Sequence, residues 1–422
     1  MKTNLFVIAF MVFFVGKIFA QNCSAPSTGF SPINDLGKGI SPVTGLMGGL
    51  YPNGSNYLPA AHKAAGLQMA SQIQCLDANG NPDPVNGKVV WLSIGMSNTT
   101  MEAQQFIKQA NAFSGKNPKL KLVDGAQGGQ TAQIVATPGN QNYPNFWNTV
   151  SSRLSTAGVT AKQVQVVWFK EANVAGTTPI RIYHDSLVVQ IKRCMNEIKT
   201  RFPNVKLCYL ASRISARYAS STLNPEPYSY WTGWAVKKVI EDQIKGDAKL
   251  AYSGSATKSP WLSWGIYLWS DGNIPQSTNP NVFYTCPTDF QSDGTHPSLT
   301  VGGGAEKVGA LLLNFFSTDS TATSWFLAAG GNTTGMKNEN PDHSLNIYPN
   351  PFSLSTTFQA DKYFKNATLT VYNCFGQAAK ELKNISGQTI TLYRDNLPGG
   401  IYFLRLTQDH ETMTTSKLII TD

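Results

Sequence analysis

From Lys88 onward, short apolar runs alternate with longer segments in which apolar residues recur every three or four positions. Val89 to Ile94, Leu120 to Val123, Val164 to Phe169 and Val205 to Leu210 are the short runs. A strand reads this way when both of its faces are buried, as in a parallel sheet covered by helices. Between the runs, Phe106, Ala110 and Phe113 share one helical face, and so do Val188, Ile191, Met195 and Ile198 in a segment beginning near Asp185. A last helix, Gly304 to Phe316, turns Val308, Leu311, Leu312 and Phe315 inward. The pattern predicts an α/β fold, an α/β/α sandwich with a central parallel sheet, ending near Phe326.

The flanks have a different texture. Met1 to Ala20 has Lys2, an apolar run from Leu5 to Val15 and a small residue at Ala20, and it reads as a signal peptide cleaved before Gln21. The run is too short for a membrane span, and no later stretch replaces it. Asn22 to Asn86 is rich in Gly, Pro and Asn, with one helical piece over Ala60 to Ile73, and reads as a lead-in wrapped around the core. Residues 327–343 lack a sustained period and read as a linker between a domain over 21–326 and one over 344–422. In the latter, Leu369 to Tyr372, Thr389 to Tyr393, Ile401 to Thr407 and Lys417 to Thr421 predict a small all-β sandwich.

Charge and cysteine content narrow the setting. The formal charge is +9, and Lys2 and Lys17 lie in the leader, which leaves +7 on the rest. No basic stripe or nucleic-acid motif accounts for it, so a nucleic-acid partner is not expected. Cys23, Cys75, Cys194, Cys208, Cys286 and Cys374 lack CxxC spacing, and in an exported chain that favours a disulfide over a zinc site. Cys23 with Cys75 is the suggested pair. Lipidation of Cys23 is the alternative, disfavoured because Gln21 and Asn22 stand where a lipoprotein signal wants small residues. No cofactor or metal is expected.

The candidate chemistry begins at Gly95-Met96-Ser97-Asn98, directly after the first apolar run and before Thr99-x-x-Glu102, which has capping-box spacing. A serine at a strand-to-helix turn stands at the carboxyl edge of the sheet, where α/β folds bind ligands and a helix N-terminus favours negative charge. Asp293-Gly294-Thr295-His296-Pro297 places a carboxylate three residues before an imidazole. Asp293 can hold the ring while His296 acts as base to Ser97, although Gly and Pro alone would also explain such a turn. His62, His184, His343 and His410 have no comparable partner spacing. Gly128-Gly129-Gln130-Thr131 and Glu171-Ala172-Asn173 stand at further strand ends, so the Gly129 amide and the Asn173 side chain are candidate oxyanion donors.

In order and spacing these four blocks resemble the SGNH (GDSL-like) hydrolase superfamily over roughly Lys88 to Phe316. The resemblance implies a flavodoxin-like sheet and a triad of Ser97, His296 and Asp293. It also implies an oxyanion hole from the amides of Ser97 and Gly129 and the Asn173 side chain. Met96 replaces the aspartate usual before the serine, and Glu171 and Val174 replace the glycine and aspartate that commonly flank the asparagine. Those departures are similar to the sialate and xylan O-acetylesterase branch. The resemblance thus implies a secreted serine esterase that removes acyl groups, acetyl above all, from extracellular carbohydrate or another small ester. A lipase-like or aryl esterase is the alternative within hydrolases, and a non-catalytic binding or adhesion protein the alternative outside them. Trp168, Trp231, Trp234, Trp264, Tyr267 and Trp269 could offer faces to sugar rings, or simply pack.

Downstream, Asn346-Ile347-Tyr348-Pro349-Asn350-Pro351, Leu397-Pro398-Gly399-Gly400-Ile401-Tyr402 and Lys417-Leu418-Ile419-Ile420 resemble the type A sorting domain of type IX secretion, from about Ser344 to Asp422. That resemblance implies a Bacteroidetes-type export route through the periplasm and outer membrane, with the secretion machinery as partner. A carbohydrate-binding or fibronectin-like sandwich would share the strand pattern alone.

Overall fold

The computed structural model describes residues 21–328 except 175 and 221, and residues 345–421 except 374–377 and 409–410. The expected signal peptide, most of the expected linker, His343, Cys374 and His410 lie outside the described residues. The chain divides into two compact units at residue 332.

In the first unit, strands β1 (Val89–Gly95), β2 (Leu120–Asp124), β3 (Val164–Lys170), β4 (Leu207–Ala211) and β5 (Trp261–Ile266) form one parallel sheet in the order β2-β1-β3-β4-β5. The helices are α1 (Ile33–Leu36), α2 (Ala60–Ser71), α3 (Ser97–Ala112), α4 (Ala132–Ala136), α5 (Tyr143–Thr156), α6 (Ile180–Arg201), α7 (Tyr228–Ile244), α8 (Gly304–Thr318) and α9 (Thr323–Phe326). Every residue of β1 is buried, because Val90, Leu92 and Ile94 pack into the layer of α5, α6 and α7 while Val89 and Trp91 pack into that of α2, α3 and α8. Two covered faces explain why the strand reads as an apolar run rather than an alternating one. The strand order reverses between β1 and β3, and it is outside the carboxyl ends of the strands at such a reversal that open α/β sheets bind ligands.

Several expectations are corrected. The fourth strand begins at Leu207 rather than Val205, and α6 begins five residues before Asp185. β5 and α7 were not foreseen: their tryptophans were weighed as sugar platforms, whereas Trp168, Trp231, Trp234, Trp264, Tyr267 and Trp269 are all buried in the core. Packing is therefore their role. Leu327 bridges to Lys116 and the Ala328 amide donates to Gly115, so the first unit runs past Phe326. Cys23 pairs with Cys286, not Cys75, because the start of the lead-in is bonded to the segment after β5, Ser27 to Asp271 and Asn34 to Gln276. Cys75, Cys194 and Cys208 are free thiols.

The second unit holds β6 (Leu345–Tyr348), β7 (Ser355–Tyr372), β8 (Ala378–Tyr393), β9 (Gly400–Gln408) and β10 (Glu411–Ile420), all antiparallel. Long β7 pairs with β8 along its length, with β6 near its start and with β9 near its end. Phe358, Leu369, Val371, Leu392, Leu404 and Leu418 form its core. Among the described residues, no helix is long and apolar enough to cross a membrane.

Candidate active site

Ser97 opens α3 two residues after β1 ends. Gly95 lets the chain pass β3: a Cβ there would stand 2.3 Å from the Lys170 carbonyl. Met96, with φ −91° and ψ −163°, is the extended residue before the helix and lends no side-chain cap. The expected capping box does not form. The Thr99 hydroxyl instead donates to the Lys170 carbonyl at 2.6 Å, and Lys170 Nζ reaches both oxygens of Glu102 at 2.5 Å. Both side chains of that ion pair are buried, and a buried lysine left alone would cost far more than an unfilled cap. Burial pushes the Glu102 carboxyl up and the Lys170 ammonium down, and their contact opposes both shifts.

The other half of the site arrives 199 residues later, when Ser97 Oγ and His296 Nε2 meet at 2.7 Å. His296 Nδ1 lies 2.5 Å from Asp293 Oδ2, whose second oxygen accepts the Thr295 and His296 amides at 2.9 Å each. With Nδ1–H donated to Asp293, Nε2 is left to accept the Ser97 proton. Partial burial raises the Asp293 carboxyl, but the bonds from the His296 ring, the His296 amide and the Thr295 amide outweigh it and hold its pKa down to about 2. Asp293 is thus a carboxylate at neutral pH. The His296 side chain keeps 18% of its surface, so a substrate can reach it.

Three contacts seat this turn. Asn98 Nδ2 donates to the Thr295 carbonyl at 3.0 Å, and the Ser220 amide donates to the Asp293 carbonyl at 3.1 Å. Gly294 has φ +66°, and a Cβ on it would lie 1.9 Å from the Tyr218 carbonyl oxygen, so glycine is required on both counts.

The remaining expected residues converge on the same edge. The Gly128-Gly129 loop flanks the serine: a Cβ on Gly128 would meet Ser97 Cβ at 3.7 Å, and Gly129 has φ +74°. The loop is tied to the end of β3 by the Ala132 amide, which donates to the Ala172 carbonyl at 3.0 Å. Asn173 Oδ1 accepts the Gln133 amide at 3.2 Å and its Nδ2 donates to Gln190, so α4 and α6 set the orientation of this amide. His62 and His184 lie on α2 and α6, bonded to the Leu262 carbonyl and to Asp185 respectively. Among the described residues, no group of three or more His, Cys, Asp or Glu could hold a metal ion.

Sequence reasoning passed over two residues at this edge, the Asn98 anchor in its support role and Arg213. The available signal for Arg213 was a charge two positions beyond an apolar strand run, where ligand sites of α/β sheets lie.

Comparison with known proteins separates the two units. Residues 346–421 match the family described as secretion system C-terminal sorting domain. The chain therefore ends in a type IX sorting signal, which engages the secretion machinery and directs it to the cell surface or beyond. No curated relative matches the chain. Among solved structures it is similar to a Bacteroides fragilis protein to which acylhydrolase activity is ascribed, at 13% identity and TM-score 0.34, covering 64% of this chain and 100% of that one. It is similar too to the periplasmic domain of a lipopolysaccharide acetyltransferase from Salmonella ser. Paratyphi A, at 14% identity and TM-score 0.29, covering 60% and 94%. A gut microbial diltiazem-metabolizing enzyme matches at 14% identity and TM-score 0.30, covering 72% and 62%. Likenesses at these scores carry no argument about activity.

Proposed function

We propose that the first unit is a serine ester hydrolase of SGNH type that removes acyl groups, acetyl above all, from extracellular carbohydrate. The observation that carries this reading is the unbroken chain from Ser97 Oγ through the His296 ring to Asp293. In the proposed cycle, Ser97 Oγ attacks the acyl carbonyl while His296 Nε2 takes its proton. The oxyanion is held by the amides of Ser97 and Gly129, helped by the N terminus of α3, and by the N–H of Asn173 that Gln190 does not use. As the tetrahedral intermediate collapses, its bond to the alkoxy oxygen breaks and His296 returns the proton to the departing sugar hydroxyl. Water, deprotonated by the same nitrogen, then attacks the acyl-enzyme and releases the acid and free Ser97. Asp293 holds the ring in the required tautomer and faces the imidazolium at each stage. The domain over 344–422 is proposed to act as an export address only.

The test is labelling of purified protein by a fluorophosphonate, together with hydrolysis of p-nitrophenyl acetate. Wild type should label and turn over, and Ser97→Ala should do neither while keeping its circular dichroism spectrum. Wild-type turnover by Ser97→Ala, or labelling at another residue, would overturn the assignment.

A further inference from the structure

The loop that carries Gly129 has no regular structure of its own to fix it. It runs from Gly125 to Thr131, between the end of β2 and α4, and Gly128 and Gly129 within it are exposed. Two backbone bonds hang its first half from β1: the Gly125 amide donates to the Ser93 carbonyl at 3.1 Å, and the Gln127 amide to the Gly95 carbonyl at 2.9 Å.

A further attachment is made by a side chain. Asp124 is the last residue of β2, and its side chain keeps 11% of its surface. Its Oδ1 accepts the Ser93 hydroxyl at 2.7 Å and the Ala126 amide at 3.0 Å, while Oδ2 accepts the Thr100 hydroxyl and the Gln104 side-chain amide, the latter at 3.2 Å. A carboxylate offers about four acceptor sites, so this one is fully used. The donors come from β1, from α3 and from the loop itself. The Thr100 hydroxyl also lies 2.8 Å from the Ala126 carbonyl, and Arg153 on α5 donates through Nη1 to the Asp124 and Ala126 carbonyls at 3.0 and 2.7 Å. Thr100 stands on the first turn of α3, the turn that Ser97 opens.

We propose that Asp124 is a positioning residue for the oxyanion hole: it fixes the separation between the turn of α3 that carries the Ser97 amide and the loop that carries the Gly129 amide. The proposal rests on the esterase reading above. Such donors act only when aimed at the place where the oxyanion forms, and a misplacement of about 1 Å costs on the order of 100-fold. None of the hydrogen bonds of Asp124 reaches Ser97, His296 or Asp293. Its loss is therefore felt in the transition state through the loop, and not in the binding of the ground state. Asparagine is the sharp substitution, because whichever way its amide turns, an NH2 group faces donors: Thr100 and Gln104 on one side, or Ser93 and Ala126 on the other.

The experiment measures hydrolysis of p-nitrophenyl acetate by the full mature chain, with its inhibition by phenylboronic acid, whose adduct with Ser97 is tetrahedral like the intermediate. Asp124→Asn should lower kcat by about 10- to 100-fold and leave KM within about threefold. The Ki of phenylboronic acid should rise by the same factor as kcat falls. Thr100→Val removes the bond to α3 and keeps the carboxylate, so it should lower kcat and raise Ki in the same sense. In this variant the midpoint of the acidic limb of log(kcat/KM) should stay where wild type has it, because the base is untouched. Wild-type kcat in both variants, a loss confined to KM, an unchanged Ki, or a displaced limb in Thr100→Val would overturn the positioning role and leave the esterase reading standing. A wild-type protein that neither hydrolyses the ester nor is labelled by a fluorophosphonate would overturn the esterase reading and this role with it. Should Asp124→Asn not fold, kcat and Ki of Thr100→Val decide.

Discussion

Alanine at Gly294 tests whether close packing of the turn on its neighbour is what positions His296. An L-residue held at φ +66° costs about 1–2 kcal/mol. The new Cβ would begin 1.9 Å from the Tyr218 carbonyl oxygen, and a tolerable carbon–oxygen separation is roughly 3.3 Å. The turn must then retreat by about 1.4 Å. That movement breaks the bond from the Ser220 amide to the Asp293 carbonyl, worth about 1 kcal/mol more. The expected loss of stability is therefore about 2–3 kcal/mol in urea unfolding. Misplacing a catalytic base by about 1 Å costs on the order of 100-fold in rate, so kcat/KM for p-nitrophenyl acetate should fall by about that factor. Gly158→Ala is the matched control, because Gly158 has φ +70° and a Cβ there would meet nothing within 4 Å. It should lose only the conformational cost and keep its kcat/KM. If Gly294→Ala matched Gly158→Ala in stability and stayed within about threefold of wild type in kcat/KM, the packing argument would be refuted.

Three further outcomes are expected. Lys170→Met leaves Glu102 buried and unpaired and should cost about 3–5 kcal/mol, while Lys170→Met/Glu102→Leu should recover most of it; equal losses in chemical denaturation would show that the pair does not matter. Cys286→Ser should cost about 2–5 kcal/mol by releasing the lead-in, whereas Cys75→Ser should leave the melting temperature unchanged; the reverse result would reassign the disulfide. Asp293 has its folded pKa lowered to about 2 from 3.8, so its stabilising contribution is complete above about pH 4 and is lost as pH falls through about 2. Asp293→Asn should flatten the melting temperature across that window, and an unchanged acid slope would contradict the assigned contacts.

Much of the sheet was legible because burial on both faces writes itself locally: Val89 to Ile94 and Val164 to Phe169 are apolar but for Ser93 and Gln165, and each became a strand buried at every position. β5 and α7 were not legible, since Trp261, Trp264, Trp231 and Trp234 suit a core strand, a core helix or an aromatic rim equally well in isolation. Thr99 and Glu102 had the spacing of a local cap, but a lysine from the neighbouring strand competed for Glu102 and won, which no local pattern records. Disulfide choice failed for the same reason, because Cys23 and Cys286 are 263 residues apart.

By itself, then, the sequence determined what depends on neighbours in the chain. These are the strand and helix periods, the strand-to-helix turn at Ser97, and the three-residue step from Asp293 to His296, which one turn closes whatever the rest of the chain does. Tertiary structure decided what depends on meeting across distance. The sheet order brings the end of β1 and the turn after Phe290 to the same carboxyl edge, so that Ser97 and His296 come within 2.7 Å across 199 residues. It also buries Arg213 two residues beyond β4, since burial is a property of packing and not of residue order.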